Sequence, residues 1–153
     1  MPSARPTTAA NDAALRLDNQ LCFALYSASL AMTKLYKPLL GALDLTYPQY
    51  LAMLVLWEQD GASVSKLGER LFLDSGTLTP LLKRLEDKGL LRRERSAQDE
   101  RRVEVFLTPQ GQNLKTQAAR IPACVVAATS CPVPDLMALT QQVQTLRNQL
   151  TKP

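Results

Sequence analysis

The sequence predicts a mainly α-helical fold of α+β class with one β-hairpin, and three observations carry that prediction. Apolar residues recur at helical three- and four-residue spacing in the opening and closing segments. The pairs Thr46-Tyr47-Pro48 and Thr108-Pro109 join a cap to a proline in the first turn, a pattern that opens helices. Val103-Glu104-Val105-Phe106-Leu107 carries the β-branched content of a strand and follows a polar stretch, Arg92 to Arg102, which makes it half of a hairpin with a charged tip. A chain of 153 residues suits one domain with its own core.

In order along the chain, residues 1–11 are rich in Pro, Ala and Thr and read as a flexible N-terminus. From Asp12, a possible N-cap, the stripe Leu17, Leu21, Leu25, Ala28 and Met32 predicts one long helix to Lys37, closed by Pro38. A second helix opens at Thr46-Tyr47-Pro48, carries Leu51, Leu54, Val55 and Trp57, and stops near Asp60-Gly61. Ser65 is the expected cap of a short helix from Lys66 to Leu71. Asp74 or Ser75 caps a further helix that runs through Leu85 to a Gly89 terminator. Pro80 lies inside it, removes one backbone donor and is expected to kink or tighten it without ending it. Beyond the hairpin, Thr108-Pro109 starts another helix. Pro122 and Cys131-Pro132-Val133-Pro134 interrupt the chain before a last amphipathic helix through Leu136, Leu139, Val143, Leu146 and Leu150.

Helix, helix, short helix, capped helix and hairpin is the element order of a winged helix-turn-helix. It is expected over residues 48–111, between helical segments 12–47 and 112–153, as one continuous domain. The flanking helices have apolar stripes outside the compact middle, so they are expected to pack on their counterparts in a homodimer.

Composition narrows the function. The chain has no histidine, which removes Ser-His-Asp and Cys-His catalysis and His-ligated zinc. Cys22, Cys124 and Cys131 form no C-x-x-C, so neither a zinc knuckle nor a disulfide scaffold is indicated; the thiols read as free, in a reducing, cytoplasmic compartment. No metal or cofactor is implied. The N-terminus has no apolar core of a signal peptide, and no run reaches the ~18 apolar residues of a membrane span, so no membrane partner is expected. A net charge of +4 permits a polyanionic partner.

On the capped helix, Leu78, Leu81, Leu82 and Leu85 share one broad face and leave Ser75, Thr77, Thr79, Lys83 and Arg84 for the outer surface. Small polar residues at the start of such a helix approach base edges and phosphates in a major groove. The hairpin carries Arg92, Arg93, Arg95, Arg101 and Arg102, a basic tip suited to a minor groove, diluted by Glu94, Asp99, Glu100 and Glu104. Cys22 lies in the first helix with Tyr26 one turn on, about 40° away around the axis and within reach of its sulfur. Tyr36 is also about 40° away, but roughly 21 Å along the axis, so it can serve Cys22 only from a second subunit.

Asp99-x-Arg101 followed by Leu107-Thr108-x-x-Gly111 resembles the wing-to-helix signature of MarR-type transcription regulators. That resemblance implies an obligate dimer on double-stranded operator DNA, with Arg101 probing the minor groove and Asp99 holding it. The strings Asn19-Gln20-Leu21-Cys22-Phe23, Leu43-Asp44-Leu45-Thr46-Tyr47-Pro48-Gln49-Tyr50 and Leu73-Asp74-Ser75-Gly76-Thr77-Leu78-Thr79-Pro80-Leu81-Leu82 resemble the organic-hydroperoxide-sensing branch of that family, over about residues 15 to 150. The branch implies a repressor, not an enzyme, with Cys22 as the peroxidatic cysteine. Tyr36 and Tyr47 would reach it across the dimer and Tyr26 would neighbour it, with an organic hydroperoxide as oxidant.

A sulfenic acid formed at Cys22 can condense with a second thiol. By resemblance, the additional thiols place the chain with members that form an intersubunit disulfide. Cys131 lies between two proline breaks, which tilts the choice of resolving residue to Cys124 without deciding it. Phe23, Leu25, Met32 and Trp57 are candidate apolar walls for an alkyl peroxide, although each one taken singly reads more readily as ordinary core. The rival readings are a MarR-type regulator of a noncovalent phenolic ligand, a thiol peroxidase, and a nonspecific DNA-packaging protein.

Overall fold

A computed structural model describes residues 8–153. Residues 1–7 of the expected flexible N-terminus lie outside the described residues, and the rest of that segment opens a helix, α1 (Thr8–Ala14). The single long helix expected from Asp12 to Lys37 is two helices. After α1 the chain passes through a 3-10 turn at Leu17–Asn19 and restarts as α2 (Leu21–Gly41). The Asn19 carboxamide donates to the Ala13 carbonyl at 2.7 Å, and that of Gln20 to Ala14 and Arg16 at 2.7 and 2.9 Å. These side chains satisfy carbonyls that a helix end leaves unpaired. Pro38 does not close α2. It lies inside the helix, with its ring in solvent, and α2 continues to Gly41.

Helix α3 (Tyr47–Glu58) starts in a full capping box. The Gln49 amide donates to Thr46 Oγ1 at 3.3 Å and the Thr46 amide to Gln49 Oε1 at 3.0 Å. Helix α4 (Val64–Leu71) is capped by Ser63 rather than Ser65, with Ser63 Oγ accepting the Lys66 amide at 3.1 Å. The residue before α4 bridges Glu104 in extended conformation, so the helix begins as soon as the strand-like backbone ends. Helix α5 (Ser75–Asp87) takes Asp74 as its cap and runs unbroken through Pro80. Gly89, at φ +77°, makes the left-handed turn that leads out of it.

Strands β1 (Leu91–Arg95) and β2 (Val103–Leu107) pair antiparallel, with Leu91 opposite Leu107 and Arg95 opposite Val103. Helices α6 (Pro109–Ala118), α7 (Ile121–Thr129) and α8 (Val133–Leu150) follow. Pro122 sits in the first turn of α7, where its missing N–H costs nothing, so it starts a helix rather than interrupting one.

Met53, Leu56, Leu67, Leu78, Leu82, Leu85, Leu91, Val105 and Ile121 form the centre of the core, which joins α3, α4, α5, the hairpin and α7. Polar ties fix the hairpin to it. Asp60 Oδ1 accepts the Leu107 amide at 2.7 Å, Trp57 Nε1 donates to the Gly111 carbonyl at 3.0 Å, and Thr108 Oγ1 donates to the Gly89 carbonyl at 2.6 Å. Outside this core, Leu21, Phe23, Leu30 and Met32 on α2 and Val133, Met137, Leu139, Val143 and Leu150 on α8 stay exposed, and α8 has no buried residue at all.

Candidate functional site

The face of α5 divides as its apolar spacing predicts. Leu78, Leu81, Leu82 and Leu85 are buried, and Ser75, Thr77, Thr79, Lys83 and Arg84 are all exposed. The Asp74 cap fixes where this face begins. The amide of Thr77, then its hydroxyl, hold the Asp74 carboxyl below the usual range, so it stays an anionic acceptor at the start of the helix.

In the hairpin, ion pairing decides which arginines remain available. Arg92 pairs with Glu94 at 2.7 Å and lies over the Phe106 ring, Arg93 pairs with Glu86 at 3.4 Å, and Arg102 approaches Glu104 at 3.8 Å. Among the described residues Arg95 and Arg101 have no such partner, and Asp99 and Glu100 beside them are likewise outside any ion pair, so two free guanidiniums and two free carboxylates share the tip. Asp99 holds Arg101 through the backbone: Asp99 Oδ1 accepts the Arg101 amide at 3.0 Å, and the Asp99 carbonyl accepts the Arg102 amide at 2.9 Å. Arg101 is exposed on this hydrogen-bonded turn. Glu86, which sequence reasoning missed, ties the last turn of α5 to β1 by accepting the Arg93 amide at 2.8 Å.

Cys22 is exposed and, because the chain breaks at Gln20, sits in the first turn of α2 instead of mid-helix. A first turn leaves backbone amides without partners inside the helix. Tyr26, one turn on, is also exposed. Tyr36 lies on the same unbroken helix, so the roughly 21 Å separation from Cys22 stands.

Tyr36 instead meets Tyr47 of α3, ring centroids 4.9 Å apart, and Tyr50 joins them at 6.0 and 6.4 Å. Tyr50 completes a trio that sequence reasoning gave as a pair; it falls one turn after Tyr47 on α3, which is the signal that would have found it. Burial first, then the neighbouring phenols Tyr47 and Tyr50, hold the Tyr36 hydroxyl above the usual tyrosine range; burial and Tyr47 do the same for Tyr50. Both therefore remain neutral donors. Tyr50 also walls an apolar cleft of about 310 Å³ with Leu54, Trp57, Ala118 and Pro122. Trp57 thus faces a cleft while its indole N–H serves the core.

Cys124 lies on α7 and Cys131 in the turn after it, where Cys131 Sγ donates to the Thr129 carbonyl at 3.3 Å; both are exposed and free. Within the described residues no cluster of His, Cys, Asp and Glu could hold a metal ion, and no single helix is long and apolar enough to cross a membrane.

A polar-faced helix seated beside an arginine-tipped hairpin makes this a winged helix-turn-helix DNA-binding regulator. Residues 34–118 match the family model described as transcriptional regulator SarA/Rot. The chain is 51% identical over 136 residues to the organic hydroperoxide resistance transcriptional regulator of Bacillus subtilis (strain 168), covering 89% of this chain and 92% of that relative. Among solved structures it is similar to reduced AbfR bound to DNA (TM-score 0.77, 32% identity, 93% of this chain and 99% of that one). It is also similar to disulfide-formed AbfR (TM-score 0.61, 36% identity, 92% and 98%); AbfR is a protein of Staphylococcus epidermidis. The chain belongs to the MarR family of transcriptional regulators, in the organic hydroperoxide resistance type, and these relatives are regulators rather than enzymes.

Proposed function

We propose that the protein is a homodimeric repressor that binds operator DNA when Cys22 is reduced and releases it when an organic hydroperoxide oxidises Cys22. The observation that carries this reading is the division of the site. An exposed thiol stands at the head of α2, while the rings of Tyr36 and Tyr47 gather at the far end of the same helix. A two-fold crossing of α2 on its counterpart brings the thiol of one protomer to the phenols of the other. The exposed apolar residues of α2 and α8 supply the surface for that crossing. Residues 12–47 and 112–153 then form the dimerisation region and residues 48–111 the DNA-binding region.

In the sensing step the Cys22 thiolate attacks the terminal oxygen of the hydroperoxide. An S–O bond forms, the O–O bond breaks, the sulfur loses two electrons to the peroxide, and the alkoxide leaves as an alcohol after taking a proton. The tyrosine hydroxyls donate to the thiolate and then to the leaving oxygen. The apolar cleft beside Tyr50 suits the hydrocarbon part of the oxidant. The Cys22 sulfenic acid then condenses with a thiol from the C-terminal region, Cys124 in preference to Cys131, with loss of water.

On DNA, the α5 helices of a dimer enter major grooves about 34 Å apart. Ser75, Thr77, Thr79, Lys83 and Arg84 face bases and phosphates, while Arg101, with Arg95 and Arg102, enters the minor groove. The greater likeness to reduced, DNA-bound AbfR than to its disulfide form supports reading this conformation as the binding one. Specific binding exceeds nonspecific by roughly 4–10 kcal/mol, so a few kcal/mol of lost register derepresses.

Anisotropy of labelled operator, before and after addition of cumene hydroperoxide, tests the reading. Wild type is expected to release and Cys22→Ser to stay bound; a wild type that stays bound, or a Cys22→Ser variant that still releases, contradicts it.

A further inference from the structure

We propose that Lys88 is the positioning residue through which the tyrosine cluster governs the recognition helix. Lys88 is the C-cap of α5. Its ammonium does not turn to solvent but crosses to the elbow between α2 and α3. There it donates to the main-chain carbonyl of Asp44 and to Gln49 Oε1 at 3.3 Å, and it lies 3.6 Å from the Asp44 carboxylate. Among the described residues no other ion pair joins α5 to this elbow.

The acceptors are built, not incidental. Asp44 is held at φ +55°, in the left-handed region, between buried Leu43 and Leu45, so the backbone fixes where its carbonyl points. Gln49 is buried, and the oxygen that accepts the hydrogen bond from Lys88 also accepts the Thr46 amide and so closes the cap of α3. Tyr47 is the first residue of that helix, between the two halves of the capping box, and its ring rests against Tyr36. One cation therefore reaches from the end of the DNA-reading helix to the turn that aims Tyr47.

This inference rests on the redox reading of Cys22. When oxidation at Cys22 of a second copy displaces Tyr36 and Tyr47, the elbow moves and Lys88 carries the movement to the C-terminal end of α5. A contact can shift the balance only if it differs between the two geometries. Loss of Lys88 therefore shrinks the difference in operator affinity between reduced and oxidised protein, whatever it does to affinity as such.

The test compares operator Kd under dithiothreitol and after cumene hydroperoxide for the full-length dimer. Lys88→Met keeps the aliphatic stem and removes the ammonium. The oxidised-to-reduced Kd ratio is expected to fall about tenfold against wild type. Trapping of the Cys22 sulfenic acid by dimedone is expected to proceed at the wild-type rate. Lys83→Met, on the exposed face of α5, serves as the control: it weakens both states and leaves the ratio unchanged. Asp44→Asn keeps the carbonyl, tolerates the left-handed backbone and removes the carboxylate; it is expected to reduce the ratio partially, and it decides the matter if Lys88→Met does not fold. A full wild-type ratio in the variants, or a reduced ratio explained by slower sulfenic acid formation, overturns the proposal. A wild type with no ratio at all sinks the redox reading itself.

Discussion

The rings of Tyr36 and Tyr47 stand 4.9 Å apart although they belong to different helices, and Tyr50 closes the group from the next turn of α3. For Tyr36 and Tyr50 this packing withdraws the hydroxyl from water and sets like groups side by side, and both effects disfavour phenolate, which leaves these two as hydroxyl donors throughout the neutral range.

Tyrosine ionisation, followed by ultraviolet absorbance, is therefore expected to show Tyr36 and Tyr50 titrating above the ordinary tyrosine value. Because folding raises these pKa values, their contribution to stability is complete below the unfolded tyrosine pKa and is lost as pH rises through the folded values. Unfolding stability measured against pH is expected to turn downward on the alkaline side. Tyr36→Phe removes part of that downturn.

Glu86 gives a prediction whose sign separates geometry from charge. Deleting a carboxylate near DNA raises affinity if only electrostatics matters. Glu86 also ties α5 to β1 through Arg93, whose guanidinium first and amide second hold its carboxyl below the usual range. Glu86→Ala is expected to weaken operator binding about threefold to tenfold, the scale of one such hydrogen bond. Since folding lowers this pKa, the stabilisation is present above the ordinary Glu range and fades as pH falls through the folded value. Tighter binding by Glu86→Ala contradicts the positioning role.

At the tip, Arg101→Ala is expected to cost about 1–3 kcal/mol of operator binding and to lower the salt slope by about one. Asp99→Asn keeps an oxygen for the Arg101 amide and is expected to bind nearly as wild type, whereas Asp99→Ala frees the turn and binds less well. Titrations at several salt concentrations measure both effects.

Gly111 admits no side chain. A Cβ there would stand 2.0 Å from the Leu90 carbonyl oxygen, and the Gly111 carbonyl holds the Trp57 indole. Gly111→Ala is expected to destabilise the fold by more than about 3 kcal/mol, as backbone overpacking does. A denaturant midpoint unchanged from wild type contradicts this.

What was legible in the sequence follows from where the physics is local. Caps at Thr46, Asp74 and Thr108 and the apolar face of α5 depend on residues within a few positions, and those elements stand where the pattern puts them. The break before Cys22 was not legible. It depends on the Asn19 and Gln20 side chains bending back to α1, while the stripe from Leu17 to Met32 runs across it unbroken. Ser63 beat Ser65 as cap because β2 draws the preceding backbone into an extended bridge, a contact from forty residues away in the chain. Tyr50 and Lys88 act across the fold, and their roles emerge only once α3 and α5 are seen side by side.

The arrangement of thiol and phenols across two subunits is tested most directly with mixed dimers. In one, a Cys22→Ser protomer pairs with a protomer carrying Tyr36→Phe and Tyr47→Phe. In the other, a protomer carrying all three substitutions pairs with wild type. Each dimer keeps a single Cys22, and the rate of its sulfenic acid formation with cumene hydroperoxide is the measurement. The account predicts near wild-type oxidation in the first, where intact tyrosines face the thiol from the other subunit, and oxidation slower by about tenfold or more in the second. The reverse order, or equal rates, contradicts it.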